Sequence, residues 1–342
     1  MALRGTLTES DGLSNISLCY ESLSSSCVKF LYPTVIRVHL YVFLGTAMVL
    51  TVVGNLLVII TVVHFKQLHT PTNILILSLS LADLLVGVIA MPPSIVRSVE
   101  TCWYFGTLFC KIHGSVDIMC TAASILNLTM ISIDRYYAIC QPLLYTSKMT
   151  IPIALTMAFV CWAVSASYGF IAVFLEFISL GIEDFTSSMT CEGWCGLMFS
   201  LPSSALGSSL FFYIPGTLLI IIYLKIFFIA QKQAQSIQSM NQNAHLKQSS
   251  CKSEKKATKT LAIVMGLFLL SWAPYVVVVT ANAYLGYVTP LLLLDIFGWI
   301  GYFNSTFNPV VYAYFYSWFR KAFQIIVSGK VFHQDSSRAL LF

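Results

Sequence analysis

The chain reads as an all-α membrane protein, a seven-transmembrane helix bundle with a short amphipathic eighth helix, and three observations predict it. Of 342 residues, 57% are apolar and only 10% are charged, with a mean hydropathy of +0.80. A typical soluble domain is about a quarter charged, so these few charges cannot coat several soluble surfaces. Low-charge stretches fall near 39–65, 73–96, 107–133, 150–175, 199–224, 260–284 and 288–316, each long enough for the ~20 residues a helix needs to cross a hydrocarbon core. The runs are also continuous. A membrane barrel would show alternating segments of about ten residues, whereas a helix satisfies its own backbone in lipid. The chain thus divides into a tail (1–38), the bundle (39–316), the eighth helix (317–327) and a final tail (328–342).

Seven spans put the two termini on opposite sides, and the Lys and Arg of the short loops choose between the two orientations. With the N-terminus outside, Arg4, Lys29, Arg37, Arg97 and Lys111 are outer and the other fourteen of nineteen bases are inner. No cleavable leader is expected, because the first apolar run begins near residue 39 behind a mixed-charge segment. The outer side then holds nine acids, among them Glu100, Glu176 and Asp295, against five bases. Such a rim focuses cations, or it simply reflects the exclusion of bases from that side. Six of ten cysteines (Cys19, Cys27, Cys102, Cys110, Cys191, Cys195) fall on the same side, where disulfides persist, although counting alone cannot pair them. The sequon at Asn15 lies on the outer tail, open to glycosylation.

Taken in order, each helix carries a polar or conformational landmark. Helix one has Gly54-Asn55, and helix two has Asp83. Helix three has Asp117 and, eighteen residues on, Asp134-Arg135-Tyr136; eighteen residues are five full turns, so Asp117 and Arg135 share a face about 27 Å apart. Helix four has Trp162, helix five Pro215, helix six Ser271-Trp272-Ala273-Pro274, and helix seven Asn308-Pro309-Val310-Val311-Tyr312. Between helices five and six, residues 230–258 are rich in Gln, Ser and Lys and read as a flexible connector. Trp318, Phe319, Phe323 and Ile326 alternate with Arg320 and Lys321 as in an interfacial helix. A carboxylate at the bilayer centre costs about 2.5–3.5 kcal/mol, so Asp83 and Asp117 either work in function or hold a neighbouring helix.

These landmarks, seven in order over about 39–326, resemble the rhodopsin-like G-protein-coupled receptors. Residues 304–319, from Asn304-Ser305 to Tyr316, Trp318 and Phe319, are similar to the helix-seven fingerprint of the trace amine-associated receptors in particular, and the tail around Cys19 and Cys27 resembles that family's N-terminus. The resemblance implies a plasma-membrane, multi-pass receptor for an extracellular amine. It also implies signalling through a stimulatory G protein (Gs or olfactory type) to raise cyclic AMP, with arrestin and a receptor kinase as further partners.

Residue by residue, the resemblance makes Asp117 the partner of a protonated amine, within an aromatic cage of Trp272, Tyr275, Trp299 and Tyr302. It places Ser208 where some relatives carry a second acid. Asp295, Trp299 and Tyr302 follow an i, i+4, i+7 spacing, so Asp295 either hangs over the same cavity as an anchor for a di- or polyamine or is a solvated acid at a helix end. The family pairing joins Cys110 to Cys195 and Cys27 to Cys191, and leaves Cys19 and Cys102 open. Asp83, Asn55, Ser124 and Asn308 resemble a polar cluster that holds an allosteric sodium ion; no other cofactor is implied. Ile125, Pro215 and Phe268 match a packing switch. Asp134, Arg135 and Tyr136, with Glu254, match a charge latch, and Asn308, Pro309 and Tyr312 the inner end of helix seven.

Other classes fit less well. A transporter would show paired, interrupted halves, and no internal repeat is present. An enzyme would need a ligand cluster or a nucleophile with its base, and the six histidines include no close pair. Nothing points to nucleic acid, and lipid is the expected surroundings. The nearest rival is a serotonin- or histamine-like biogenic amine receptor, disfavoured by helix seven and by the stretch Gly207-Ser208-Ser209-Leu210-Phe211, which has at most one inward hydroxyl.

Overall fold

The computed structural model describes residues 17–239, 245–332 and 336–341; of residues 230, 233–239, 245–259, 261 and 332 it describes only the helical backbone. Asn15 and the side chain of Glu254 therefore lie outside the described residues. Seven long helices follow in order: α1 (Thr34–His64), α2 (Pro71–Glu100), α3 (Gly106–Cys140), α4 (Ile151–Phe174), α5 (Leu201–Ser239), α6 (His245–Tyr284) and α7 (Leu291–Phe315). The last is followed by α8 (Ser317–Val327). Two short helices, Pro142–Lys148 and Glu183–Met189, lie in the loops after α3 and α4.

Six of the seven are apolar enough along a whole window to cross a membrane by length and composition alone. The exception is α7, and the reason is its inward face: Asn304, Ser305, Thr306 and Asn308 are all buried there. The bundle is inverted relative to a soluble protein. Val42, Phe159, Phe228, Leu270 and Val310 are exposed on its outside, while Asn55, Asp83, Asn127, Asp134 and Asn308 are buried. Lipid is the solvent that such an exterior suits.

Two helices leave ideal geometry where the sequence requires it. In α2, Pro92 and Pro93 lack the N–H groups that would bond back to the preceding turn, and a π-turn spans Val86–Ala90 just before them. In α5, a second π-turn spans Ser209–Tyr213, immediately before Pro215. Each inserts backbone into the ladder and turns the residues beyond it to a new direction. At its other end α7 stops at Phe315, and Arg320 of α8 donates back to the Ala313 and Tyr314 carbonyls at 2.9 and 2.8 Å. That satisfies two of the carbonyls a helix end leaves open. Trp318, Phe319 and Ala322 bury the inner face of α8.

One end of the bundle is capped by the tail. Leu18 pairs antiparallel with Val28, and Ser26 pairs with Glu192 in the loop after α4. Disulfides join Cys27 to Cys191 and Cys110 to Cys195, and a third joins Cys19 to Cys102 beyond α2. Gly193 makes the stacking possible: it has φ of +97°, and a Cβ there would lie 2.6 Å from the Cys19 side chain. Glu100 anchors the tail through Lys29 and the start of α1 through Arg37 and Tyr41. The Tyr104 hydroxyl, which accepts from Lys29 at 3.1 Å, and the Glu100 carboxylate together hold the Lys29 ammonium above its ordinary pKa.

Candidate ligand-binding site

Beneath that cap lies a cavity of about 130 Å³, bounded by α3, α4, α5 and α6 and by the loop that leaves Cys195. Asp117 supplies its carboxylate, Trp272 and Tyr275 its aromatic wall, and Ser208 a hydroxyl, all four being residues singled out from the sequence. The sequence reading missed Tyr168, Leu197 and Phe199. Tyr168 comes from α4, where aromatic residues on an apolar span carry no signal of direction. Leu197 and Phe199 belong to a loop whose path is set by the Cys110–Cys195 link.

Asp117 is partly buried, and its Oδ1 has no hydrogen-bond partner although it is shielded from solvent. A buried acceptor left open costs about 1–3 kcal/mol, so a donor that reaches it is strongly favoured. The floor of the cavity is Trp272 over Phe268, with ring centroids 6.4 Å apart. Gly301 allows α7 to approach that indole, since a Cβ there would meet it at 2.9 Å. Three serines of α5 line the wall, but their hydroxyls are engaged: Ser203 donates to the Ile178 carbonyl at 2.6 Å, Ser204 to Leu201 at 3.1 Å, and Ser208 bonds Thr280 at 3.0 Å.

Of the four expected rings, Trp272 and Tyr275 line this cavity, and Trp299 and Tyr302 lie outside its lining. The rings do form one chain, Trp272 to Tyr302 at 6.3 Å and Tyr302 to Trp299 at 5.4 Å. However, Trp299 donates its indole N–H to Ser98 of α2 at 3.0 Å. Tyr302 lies with its hydroxyl beside both Asp117 and Ser94. Two turns further out than Tyr302, Asp295 accepts from Arg97 at 3.1 Å. Ser94, Arg97 and Ser98 form one face of α2 and meet Tyr302, Asp295 and Trp299 rung by rung, so this side of the bundle is closed. Asp295 is thereby neither a free second carboxylate nor a merely solvated acid.

The remaining candidates lie along α3 and α7 below the cavity. Asp83 accepts from Ser305 at 2.8 Å and from Asn308 at 2.7 Å, with Ser124 alongside. Asn55 donates to the Thr51 and Ser305 carbonyls, and the side-chain oxygens of Asn55 and Asn308 are buried without partners. Ile125 and Phe268 are buried in one core cluster, and Pro215 is buried in α5. Tyr312 is fully buried and its hydroxyl has no partner. At the far end Arg135 clamps Asp134 at 2.6 Å, and both engage Thr72 and Tyr145. Tyr136 packs instead beside Ile139, Ile222 and Ile226. Among the described residues no group of three His, Cys, Asp or Glu could hold a metal.

Comparison with known proteins agrees with this geometry. A family model described as the seven-transmembrane receptor (rhodopsin family) matches residues 54–312. The chain is 47% identical over 330 residues to trace amine-associated receptor 1 of Macaca mulatta, across 95% of this chain and 98% of the relative. It is 46% identical to trace amine-associated receptor 1 of Homo sapiens over 95% and 97% of the two chains, and 42% identical over 333 residues to trace amine-associated receptor 4 of Mus musculus, covering 95% of each.

Proposed function

This chain belongs to the rhodopsin family of seven-transmembrane receptors and, within it, to the trace amine-associated receptors, and on that premise we propose that it is activated by an extracellular amine bound at Asp117. It is a receptor and not an enzyme. The observation that carries the reading is the open Oδ1 of Asp117 beside a cavity walled by rings. An ammonium there makes a charge-assisted hydrogen bond, and the faces of Trp272 and Tyr275 attract the same cation. An apolar cavity of about 150 Å³ takes one benzene ring, so a small aryl or alkyl amine suits the available space. Catechols suit it less, because the α5 hydroxyls already have partners.

The end bearing three disulfides is the extracellular one, since such bonds persist in oxidising surroundings; the Asp134–Arg135 end then faces the cytosol. The agonist, resting on Trp272, biases the packing of Phe268 against Ile125 and Pro215. Release of Arg135 from Asp134 opens the inner end to a stimulatory G protein of the Gs or olfactory type, as a shift between two populations. Cyclic AMP rises, arrestin and a receptor kinase end the response, and the proposed role is olfactory. The Asp83 cluster fits a sodium ion in the resting state, a carboxylate with neutral oxygen ligands suiting a hard cation. Such an ion would neutralise Asp83 between α2 and α7.

The test is a cyclic-AMP dose response across an amine panel. Asp117→Ala leaves the ligand cation unpaired at a cost of about 3–5 kcal/mol, so potency falls at least a hundredfold while surface expression persists. An unchanged dose response overturns the assignment.

A further inference from the structure

The acids near the mouth of the cavity differ in what already holds them. Asp117 has an open oxygen. Asp295 does not stand alone: the Arg97 guanidinium donates to its Oδ1 at 3.1 Å and also reaches the Cys195 carbonyl at 3.5 Å. Arg97 thus ties the outer ends of α2 and α7 to the loop that the Cys110–Cys195 disulfide hangs over the site. It also lies close enough to Asp117 for the two charges to interact. Both members of the pair keep about a quarter of their side-chain surface open, 27% for Arg97 and 29% for Asp295.

Without Arg97, the two carboxylates would stand in reach of one flexible ligand. Asp295 is seven residues from Tyr302 on the same face, about 10 Å along the helix, and Tyr302 lies beside Asp117. A diamine the length of 1,5-diaminopentane is on that scale. With Arg97 present, the second ammonium of such a ligand meets a neutralised pair on this side. On the other side it meets the apolar cavity, where Ser208 and Thr280 already bond each other. Placing a charge there without a counter-charge is costly.

We infer that Arg97 is a specificity-determining residue: by neutralising Asp295 it makes the receptor select amines with one positive charge over diamines. The inference rests on the reading of Asp117 as the amine anchor. It predicts that Arg97→Gln uncovers a latent second anchor without touching the first.

The experiment compares pentylamine with 1,5-diaminopentane in cyclic-AMP dose responses, with surface expression measured for every variant. In the wild type the monoamine is the more potent by tenfold or more. Arg97→Gln shifts the potency ratio about tenfold toward the diamine, and Arg97→Gln combined with Asp295→Asn returns it to the wild-type value. If Arg97→Gln does not reach the surface, Arg97→Met carries the same comparison. A diamine equal to the monoamine on the wild type, an unchanged ratio in the Arg97 variant, or a gain that survives loss of Asp295 would each overturn the inference. Should the wild type respond to the monoamine through Asp117 while the Arg97 variant keeps its ratio, the specificity claim alone fails. If neither amine nor any other acts through Asp117, the anchor reading fails and the specificity claim with it.

Discussion

At the level of Asp117, α3 has two flanks made of much the same residue types. Toward α5 and α6 lie Trp272, Tyr275, Phe211 and Ser208, and between them is space for a ligand. Toward α2 and α7 lie Trp299, Tyr302, Ser98 and Ser94, and there the polar atoms of one helix meet those of the other. Aromatic rings and serines therefore do not by themselves make a pocket. What separates the flanks is which groups the cross-helix bonds join: the Trp299 indole and the Tyr302 ring are tied to α2, whereas Trp272 and Tyr275 line a cavity. In α5, Ser203, Ser204 and Ser208 bond the loop after α4, their own helix and Thr280 of α6 around a gap that stays open; in α2, Ser98 and Ser94 meet Trp299 and Tyr302 of α7.

Four substitutions break or sharpen that contrast, from the largest expected effect to the smallest. Val276→Trp fills the open flank, and potency for an aryl amine falls by tenfold or more while methylamine-sized ligands lose less; equal losses for both would mean the ligand does not use this cavity. Removal of the Cys19–Cys102 link, by Cys19→Ser with Cys102→Ser, loosens the cap over both flanks. Disulfides typically contribute about 2–4 kcal/mol, so detergent-solubilised receptor melts at a lower temperature, and the double variant is no worse than either single one. Ser98→Ala leaves the Trp299 indole N–H without an acceptor on the closed flank, a cost of about 1–3 kcal/mol. Thermal stability should drop while amine potency changes only a few-fold; a large potency loss with unchanged stability would place Trp299 in contact with ligand. Ser208→Ala breaks one bond to Thr280, worth about 0.5–1.5 kcal/mol, and shifts potency less than tenfold for any amine in the panel.

Much of the fold was legible because insertion into lipid is decided residue by residue along a run of chain. Long apolar stretches gave every helix of the bundle, even α7, whose own hydropathy is diluted by its buried Asn304, Ser305 and Asn308. The boundaries were less legible. The spans at the far end of α5 and the start of α6 continue as helix well past their apolar portions, to Ser239 and from His245, since a helix need not stop where lipid does. Asp117, Trp272, Tyr275 and Ser208 were found because they match a family pattern on fixed helical positions. Tyr168, Leu197 and Phe199 were not, as nothing local marks a ring or a loop residue as facing inward. The pairing of Cys19 with Cys102 was likewise open until the tail's bonds to the Cys191–Gly193 segment placed the two sulfurs together.

The sequence by itself determined that the chain lives in a membrane, how many helices cross it, and which few charges are held there at a cost. Those properties depend on the hydration of single residues and single turns. Only the tertiary structure decided which carboxylate keeps an oxygen without a partner. Asp117 and Asp295 look alike in sequence, and the base that distinguishes them, Arg97, is 198 positions from Asp295. A π-turn before Pro215 likewise turns the α5 serines in a direction that ideal helical counting does not give. Availability is a property of pairs, and pairs across a bundle are made by the packing of helices that sequence distance does not encode.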